Sequence, residues 1–164
     1  MLGQLHDAGN TTTLAHYLDL LDGAGMICGL QKFSGSAVRR RASSPKLIAH
    51  NTGLVSAVRG LPFAMVRSNP EQWGRLVESA VGAHLLNHGL TPGYWRERNR
   101  EVDFVLETPQ GVTAIEVTSG RRKEALPGLD AFLLRVPEAR PLLVGAQGVP
   151  LEAFFANPPE RWLG

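Results

Sequence analysis

Two strand-like segments on either side of Pro109-Gln110-Gly111 constrain the fold of this chain more than any other feature of its sequence. A turn centred on these three residues makes an antiparallel hairpin in which Asp103 faces Glu116. The same register opposes two pairs of large apolar residues, namely Phe104 with Ile115 and Val102 with Val117. Because a slip by one residue would destroy both matches, the sequence predicts a hairpin with an acidic pair on one face and an apolar layer on the other.

The predicted acidic pair needs a partner, because two like charges directly opposed across a hairpin destabilise it. A raised carboxylate pKa, a neighbouring Arg or Lys, or a bound hard cation such as Mg²⁺ would each offset the repulsion. Glu78 adds a third acid within a predicted helix, where its neighbours along the same face are glycine or apolar residues. The pattern therefore predicts that Glu78 points inward and that Glu78, Asp103 and Glu116 form one potential divalent-metal site.

Composition places the chain among ordinary globular proteins. Its 164 residues are 43% apolar and 20% charged, and the single cysteine, Cys28, excludes an intramolecular disulfide. No segment has the length of a membrane span or the pattern of a signal peptide, so we expect a soluble, cytoplasmic protein without a membrane partner. The net charge of +2 does not indicate a nucleic-acid binder, although residues 1–60 hold six Lys/Arg against three Asp/Glu.

The first part of the chain has the order helix, strand, basic turn, strand. A helix is predicted between the threonines after Asn10 and the stop signal at Gly23. Residues 26–33 and 46–49 are β-compatible and flank the basic turn. This order is that of the second half of a winged helix, so residues 1–62 are predicted to be a partial winged-helix-like segment and linker. The basic turn carries three candidates for phosphate contact, Arg39, Arg40 and Arg41.

The second part of the chain predicts the element order αβββαβ. A loop is expected around residues 60–69, and a helix opens at Asn69-Pro70 and ends at Asn87-His88-Gly89. Three strands, a second helix broken at its start by Pro127-Gly128, and a last strand follow. Their predicted ranges are 94–98, 101–108 and 112–119 for the three strands, 129–136 for the helix and 141–145 for the last strand. Residues 63–164 are therefore predicted to form an α/β domain.

Four short motifs of this second part occur in the order typical of a known nuclease fold. They are Glu78, Tyr94-Trp95-Arg96, Glu101-Val102-Asp103-Phe104 and Ile115-Glu116-Val117. Together they resemble the PD-(D/E)xK, or restriction-endonuclease-like, fold, and more narrowly the C-terminal region of a prokaryotic AAA-type ATPase family. The resemblance extends to residues 11–21, to Pro45-Lys46-Leu47 and to Asn51-Thr52-Gly53-Leu54, where the family more often has Asp at the position of Asn51.

The resemblance implies a metal site and a reaction. In that fold the two hairpin acids hold Mg²⁺ and the helix acid assists, which makes Asp103 and Glu116 the ligands and Glu78 the helper. The family's lysine two positions after the second acid is Thr118 here, and a neutral residue cannot stabilise negative charge as an ammonium does. Three basic residues that follow are candidates for a migrated cation, Arg121, Arg122 and Lys123.

The function that the resemblance implies is a nuclease-fold C-terminal domain of an AAA-type ATPase, associated with DNA and carrying a Mg²⁺ site. The missing lysine favours an inactive site over metal-assisted phosphodiester hydrolysis. The alternative, from another class, is a non-catalytic regulatory or protein-interaction domain that binds the ATPase module. No GxxxxGK[ST] motif occurs in the sequence, so no nucleotide site is predicted in this chain.

Several residues keep an ordinary structural interpretation beside the functional one. Glu78 could form a salt bridge with Arg96 or Arg100, which would leave the hairpin acids solvated at a sheet edge. Arg96 could instead line a phosphate path with its arginine neighbours, and the three consecutive arginines of the basic turn could be a solvated loop. His84 and His88 have the spacing of a helical zinc pair but lack the HExxH pattern, which favours core or surface roles.

Overall fold

The computed structural model describes residues 11–34, 43–120, 125–146 and 148–163 of the chain. Over these ranges the fold is α/β, as predicted. Its elements run in the order α1 (Thr11–Gly23), β1 (Ile27–Leu30), β2 (Lys46–Ala49), α2 (Thr52–Arg59), α3 (Phe63–Ser68), α4 (Pro70–Asn87), β3 (Gly93–Glu97), β4 (Arg100–Thr108), β5 (Gly111–Thr118), α5 (Pro127–Arg135), β6 (Arg140–Gly145) and α6 (Leu151–Phe155), followed by a 3-10 helix (Pro159–Trp162). None of the helices in the described ranges is long and apolar enough to cross a membrane.

A four-stranded mixed sheet in the order β3-β4-β5-β6 forms the centre of the fold. Strands β3, β4 and β5 are antiparallel neighbours, whereas β5 and β6 are parallel. A parallel pair needs a crossover connection, and α5 lies in that connection between β5 and β6. With α4 before β3, the order αβββαβ predicted from the sequence is confirmed. A second sheet consists of β1 and β2, which pair antiparallel.

Helix α4 carries one of the acids and is bounded by strong local signals. The side chain of Asn69 accepts hydrogen bonds from the backbone N–H groups of Glu71 and Gln72, and Pro70 occupies the first helical position, where its missing N–H costs little. The helix ends at Asn87, as predicted, and Gly89 follows with φ +76°. The buried stripe of α4 includes Val77, Val81 and Leu85. This stripe fixes which way the helix faces the sheet.

The hairpin of β4 and β5 has the predicted register. Phe104 pairs with Ile115, and pairing continues to Thr108 with Gly111. At Asp103 a side-chain hydrogen bond joins the two strands in place of a backbone pair. Asp103 Oδ2 accepts this bond of 2.8 Å from the N–H of Val117. The expected acidic neighbours are therefore present, and a side chain-to-backbone bond joins the two strands beside them.

Strand β4 contains a bulge at the position of this acid. On β3 a single residue, Tyr94, separates Gly93 from Trp95, while two residues separate their partners Val105 and Val102 on β4. A bulge reverses the alternation of side chains, and it commonly lies beside functional sites. The expectation that Val102 shares an apolar face with Val117 is wrong for this reason, since the two belong to different core clusters.

Two apolar clusters build the core, one between the sheet and α4 and the other between the sheet and α5. The first also contains Leu30 of β1 and Ile48 of β2, which are 2% and 4% exposed. Backbone hydrogen bonds extend this contact, because the N–H of Tyr94 donates to the carbonyl of Gln31. The N-terminal hairpin thus contributes to the same core as the sheet, while the predicted boundary between residues 62 and 63 stays a prediction.

Two local expectations are wrong. Residues 60–69 were expected to be a loop, but α3 occupies Phe63–Ser68 and follows α2, whose start is capped by the Asn51 side chain. Pro127 and Gly128 were expected to precede the helix, but both belong to α5, because proline is tolerated in a first turn. Gly128 also permits a close approach, since a Cβ there would lie 1.9 Å from the carbonyl oxygen of Glu101.

Candidate acidic site

Four carboxylates converge between α4 and the hairpin of β4 and β5. Glu78 comes from α4, Glu101 and Asp103 from β4, and Glu116 from β5. One oxygen each from Glu78, Glu101 and Asp103 lies within 4.8 Å of the others. The three acids predicted from the sequence, Glu78, Asp103 and Glu116, line one cleft of about 320 Å³. The predicted convergence is therefore present, and Glu101 joins it.

A lysine from the N-terminal hairpin lies among these acids. The Nζ of Lys46, on β2, is 2.5 Å from Glu78 Oε1, 3.2 Å from Glu101 Oε1 and 3.9 Å from Asp103 Oδ1. It also donates a hydrogen bond to the backbone carbonyl of Asp103. Although burial disfavours its charged form, the carboxylates of Glu78 and Asp103 raise the pKa of Lys46 above its ordinary value. Lys46 is therefore an ammonium ion at neutral pH and cannot serve as a general base.

Asp103 has a strongly perturbed carboxyl. Burial, then the charges of Glu78 and Glu116, raise its pKa from 3.8 to about 7, against the opposing effects of Lys46 and of the Val117 N–H. Both sets of effects follow from the position of Asp103. It lies at the bulge in β4, near the other acids, and its carboxylate accepts the hydrogen bond from Val117 across the hairpin. At neutral pH the Asp103 carboxyl is thus poised between its two protonation states.

The cleft beside Asp103 is closed by the first turns of α4 and the end of β5. Trp73 donates an indole hydrogen bond of 3.1 Å to the carbonyl of Ser119. Gly74, one turn before Glu78, lies so close that a Cβ there would be 3.3 Å from Ser119 Oγ. Gly74 therefore lines the cleft with Glu78 and Glu116 and has no side chain that would fill it.

Thr118 occupies the position where the resembled fold has lysine. Its side chain is buried, and its hydroxyl donates a hydrogen bond of 3.3 Å to the carbonyl of Val144 on β6. It therefore ties β5 to β6 and brings no positive charge to the cleft. The three basic residues considered as a replacement, Arg121, Arg122 and Lys123, lie outside the described residues, as do Arg39, Arg40 and Arg41 of the basic turn.

The ordinary interpretation of the acids as solvated edge residues is wrong in its details. Glu78 pairs with Lys46, and it is Glu101 that pairs with Arg96, whose Nε and Nη2 both donate to Glu101 Oε2. Strands β4 and β5 are the two inner strands of the sheet, and Glu116 is only 9% exposed. Arg96 is thus engaged with an acid of the cluster, and its role toward a phosphate stays a prediction.

The two histidines considered for zinc have other partners. His84 Nε2 is 3.0 Å from the carbonyl oxygen of Asn157, and His88 Nδ1 is 2.8 Å from the carbonyl oxygen of His84. Cys28 packs against the first core cluster, and burial, with the nearby Asp22, raises the pKa of its thiol. The histidine contacts fit the core or surface roles expected of His84 and His88, and Cys28 has a packing role.

Lys46 and Glu101 are the site residues that the sequence argument did not select. A usable signal existed for Lys46, since side chains alternate along a strand and Lys46 lies two positions before Ile48, which is buried. That spacing places both side chains on the same face of β2. Nothing in the sequence, however, says that this face meets Glu78 and Asp103, because the contacts span 32 and 57 residues of chain.

The donor set of the cluster fits a hard divalent cation. Mg²⁺ and Mn²⁺ prefer carboxylate and carbonyl oxygens, and the described cluster offers such oxygens from two strands and one helix. Lys46 contacts Glu78, Glu101 and Asp103, and Arg96 pairs with Glu101. The arrangement therefore has the oxygen donors that such an ion needs.

Two protein families match this chain. Residues 73–151 match a Domain of unknown function (DUF4143), and residues 2–64 match a Domain of unknown function (DUF8612). No curated protein and no solved structure matches the chain. The first match contains all four acids of the cluster, whereas the second contains Lys46. The contact between Lys46 and the acids therefore joins segments that belong to two different family matches.

Proposed function

We propose that the chain is a PD-(D/E)xK-like domain from the C-terminal region of an AAA-type ATPase, and that its acidic cleft binds Mg²⁺ or Mn²⁺. The observation that carries the proposal is the convergence of Glu78, Asp103 and Glu116 on one cleft at the bulged end of a hairpin. The element order αβββαβ supports it. So does the match to DUF4143, a domain often found at the C-terminal end of AAA-ATPase-associated proteins.

In this proposal the side chains of the cleft have different roles in metal binding. Asp103 and Glu116 bind the ion, and Glu78 assists from the helix. A bound divalent cation would lower the pKa of a water molecule and neutralise phosphate oxygens, which is the chemistry of phosphodiester hydrolysis. Thr118 contributes no charge to that step, because its hydroxyl bonds to β6. We therefore propose a metal-binding, DNA-associated domain with little or no hydrolytic activity.

Metal binding is tested by thermal unfolding with and without Mn²⁺ or Mg²⁺. A ligand at about 100 times its Kd stabilises the folded state by about 2.7 kcal/mol, which for a chain of this size raises Tm by about 5 °C or more. Asp103→Asn should abolish the increase, because a neutral amide is a far weaker ligand for a hard cation.

The matched control for this test is Asp130→Asn, which removes the same charge from an exposed position on α5. It should keep the full metal-induced increase in Tm. Wild-type protein that is indifferent to both metals, or an Asp103→Asn variant that responds like the wild type, would contradict the proposed site.

A second function, as a protein-interaction domain, is favoured by the surface of α2 and α3. No residue of either helix is buried, yet Val58 and Phe63 are 82% and 66% exposed. Large exposed apolar patches commonly mark interaction sites. Two arginines, Arg59 and Arg67, are the charged residues of these helices, so a partner with an acidic rim would suit the surface. We propose the ATPase module as that partner.

A further inference from the structure

Lys46 occupies the part of the cluster that is best suited to a cation. Its Nζ contacts Glu78, Glu101 and Asp103, and these are the same three residues whose oxygens approach one another closely enough to hold a metal. In the proposed site Asp103 is a ligand and Glu78 assists, so a divalent cation would need oxygens of two of the side chains that Lys46 contacts. An ammonium ion and a metal therefore compete for the carboxylates of Asp103 and Glu78.

We propose that Lys46 is a built-in counter-ion that competes with divalent metal for the acidic cleft, so that the β1-β2 hairpin sets how readily the site loads. This inference rests on the proposed function, since it presupposes that the cleft binds metal. Two effects act together. The ammonium occupies oxygen lone pairs that a metal would use, and its positive charge repels a second cation nearby.

The position of Lys46 is fixed by its strand. Ile48, two residues further along β2, lies in the first core cluster, and so does Leu30 of β1, which pairs with Lys46 across the hairpin. The Lys46 ammonium also lies 5.2 Å from the centre of the Phe104 ring. The hairpin backbone is thus held by packing, independently of the ion pairs. The lysine side chain is nevertheless 16% exposed, so it has a path by which it can swing into solvent without unfolding β2.

Metal affinity after removal of the ammonium is the direct test. Mn²⁺ binding is measured from the electron paramagnetic resonance signal of the free ion, for wild type, Lys46→Met and Lys32→Met. Methionine keeps the apolar stem of lysine. Lys32→Met is the matched control, since it removes the same charge from the chain just after β1. Lys46→Met should bind Mn²⁺ at least about tenfold more tightly than wild type (about 1.4 kcal/mol), and Lys32→Met within about twofold.

A second measurement uses the wild-type protein and does not depend on the folding of a variant. Lysines are acetylated briefly with and without saturating Mn²⁺, and the modified positions are quantified by mass spectrometry. Metal that displaces the ammonium should raise acetylation of Lys46 several-fold and leave that of Lys32 unchanged. Unchanged acetylation of Lys46 while Mn²⁺ is bound would overturn the inference.

The outcomes separate this inference from the function on which it rests. Equal or weaker Mn²⁺ binding by Lys46→Met than by wild type overturns the competition and leaves the metal site standing. Absence of Mn²⁺ binding by wild type and Lys46→Met alike overturns the proposed metal site, and the competition with it. Tighter binding by Lys46→Met alone among the variants supports both.

Discussion

At the scale of single residues, Asp103 is subject to opposing electrostatic effects. Burial and two neighbouring carboxylates favour its protonated form, whereas Lys46 and the Val117 N–H favour the carboxylate. The balance puts its pKa at about 7, far above the 3.8 of an exposed aspartate. A group in this position links metal binding, folding stability and pH, because a bound proton and a bound metal exclude each other.

The raised pKa predicts a dependence of stability on pH. Between about pH 4 and 7 the folded protein holds a proton on Asp103 that the unfolded chain has lost. The stability that this group contributes therefore falls as the pH rises through that window, by at most about 1.4 kcal/mol per pH unit. Asp103→Asn keeps the shape but cannot titrate. Its free energy of unfolding, measured with urea, should gain on that of the wild type from pH 4 to 7 and then level off.

Asp130→Asn again supplies the control for the pH series. Because it lies on the exposed side of α5, away from the cluster, its stability should stay parallel to that of the wild type. A constant difference between Asp103→Asn and wild type across the same window would show that Asp103 does not titrate as described.

The acids of the site could be predicted from the sequence, whereas their counter-ion could not. Asp103 and Glu116 are placed by the turn and by apolar alternation, which are both local, and Glu78 by its helical neighbours. Lys46 depends on how a separate hairpin packs on α4 and β4, through Leu30 and Ile48. The apolar periodicity of either segment does not predict this packing. The contact of Lys46 with the acids is therefore visible only in the tertiary structure.

At the scale of elements, the bulge in β4 marks the limit of register arguments. The pairing of Phe104 with Ile115 follows from the hairpin alone and is confirmed. The extra residue on β4 is seen in its pairing with β3 on the other side. There Gly93 and Trp95 are two positions apart, whereas their partners Val105 and Val102 are three positions apart. A hairpin considered in isolation carries no trace of this third strand, so Val102 was placed on the wrong face.

Gly82 of α4 lies against Phe104 of β4 and Ile48 of β2, and this contact predicts that alanine at position 82 would be destabilising. A Cβ on Gly82 would lie 2.9 Å from the Phe104 ring and 3.1 Å from Ile48. Although alanine is the better helix former by about 1 kcal/mol, Gly82→Ala should destabilise the protein by about 1–3 kcal/mol, because the packed ring and the hairpin must both shift. Chemical denaturation measures the change.

Gly74→Ala is the matched control, being the same substitution in the same helix. Its Cβ would meet a single hydroxyl at 3.3 Å, that of Ser119, which can rotate away. This variant should be neutral or slightly stabilising. Equal effects at Gly74 and Gly82 would mean that helix propensity, and not the close approach of three elements, decides the outcome.

At the scale of the whole molecule, apolar surface is distributed unevenly. The helices α2 and α3 have no buried residue, although apolar side chains dominate both. Helical periodicity in a sequence indicates a face that avoids water, without saying whether the covering partner lies in the same chain. Residues 60–69 were mistaken for a loop because α3 is short and buries none of its residues, although Phe63 packs edge-on against Trp73 of α4.

The interaction proposal makes a prediction about this surface. Val58→Asp together with Met65→Asp should leave Tm nearly unchanged, because exposed positions change stability by about 0.5 kcal/mol or less. The same pair should weaken binding to a purified AAA-type ATPase module of the resembled family at least tenfold in surface plasmon resonance.

Leu134→Asp, on an 83% exposed leucine of α5, is the control and should bind as the wild type does. Loss of binding in the control alone would place the contact elsewhere.

The network Arg96–Glu101–Lys46–Glu78 has a practical consequence for dissecting this protein into pieces. A fragment that starts at residue 63 would lose Leu30 and Ile48 from its interior and the ammonium from its carboxylates at once. Truncation at the predicted linker would thus expose apolar side chains of the core and remove the positive charge that lies beside Glu78 and Asp103. Any attempt to study the sheet apart from the hairpin should carry residues 27–49 along with it.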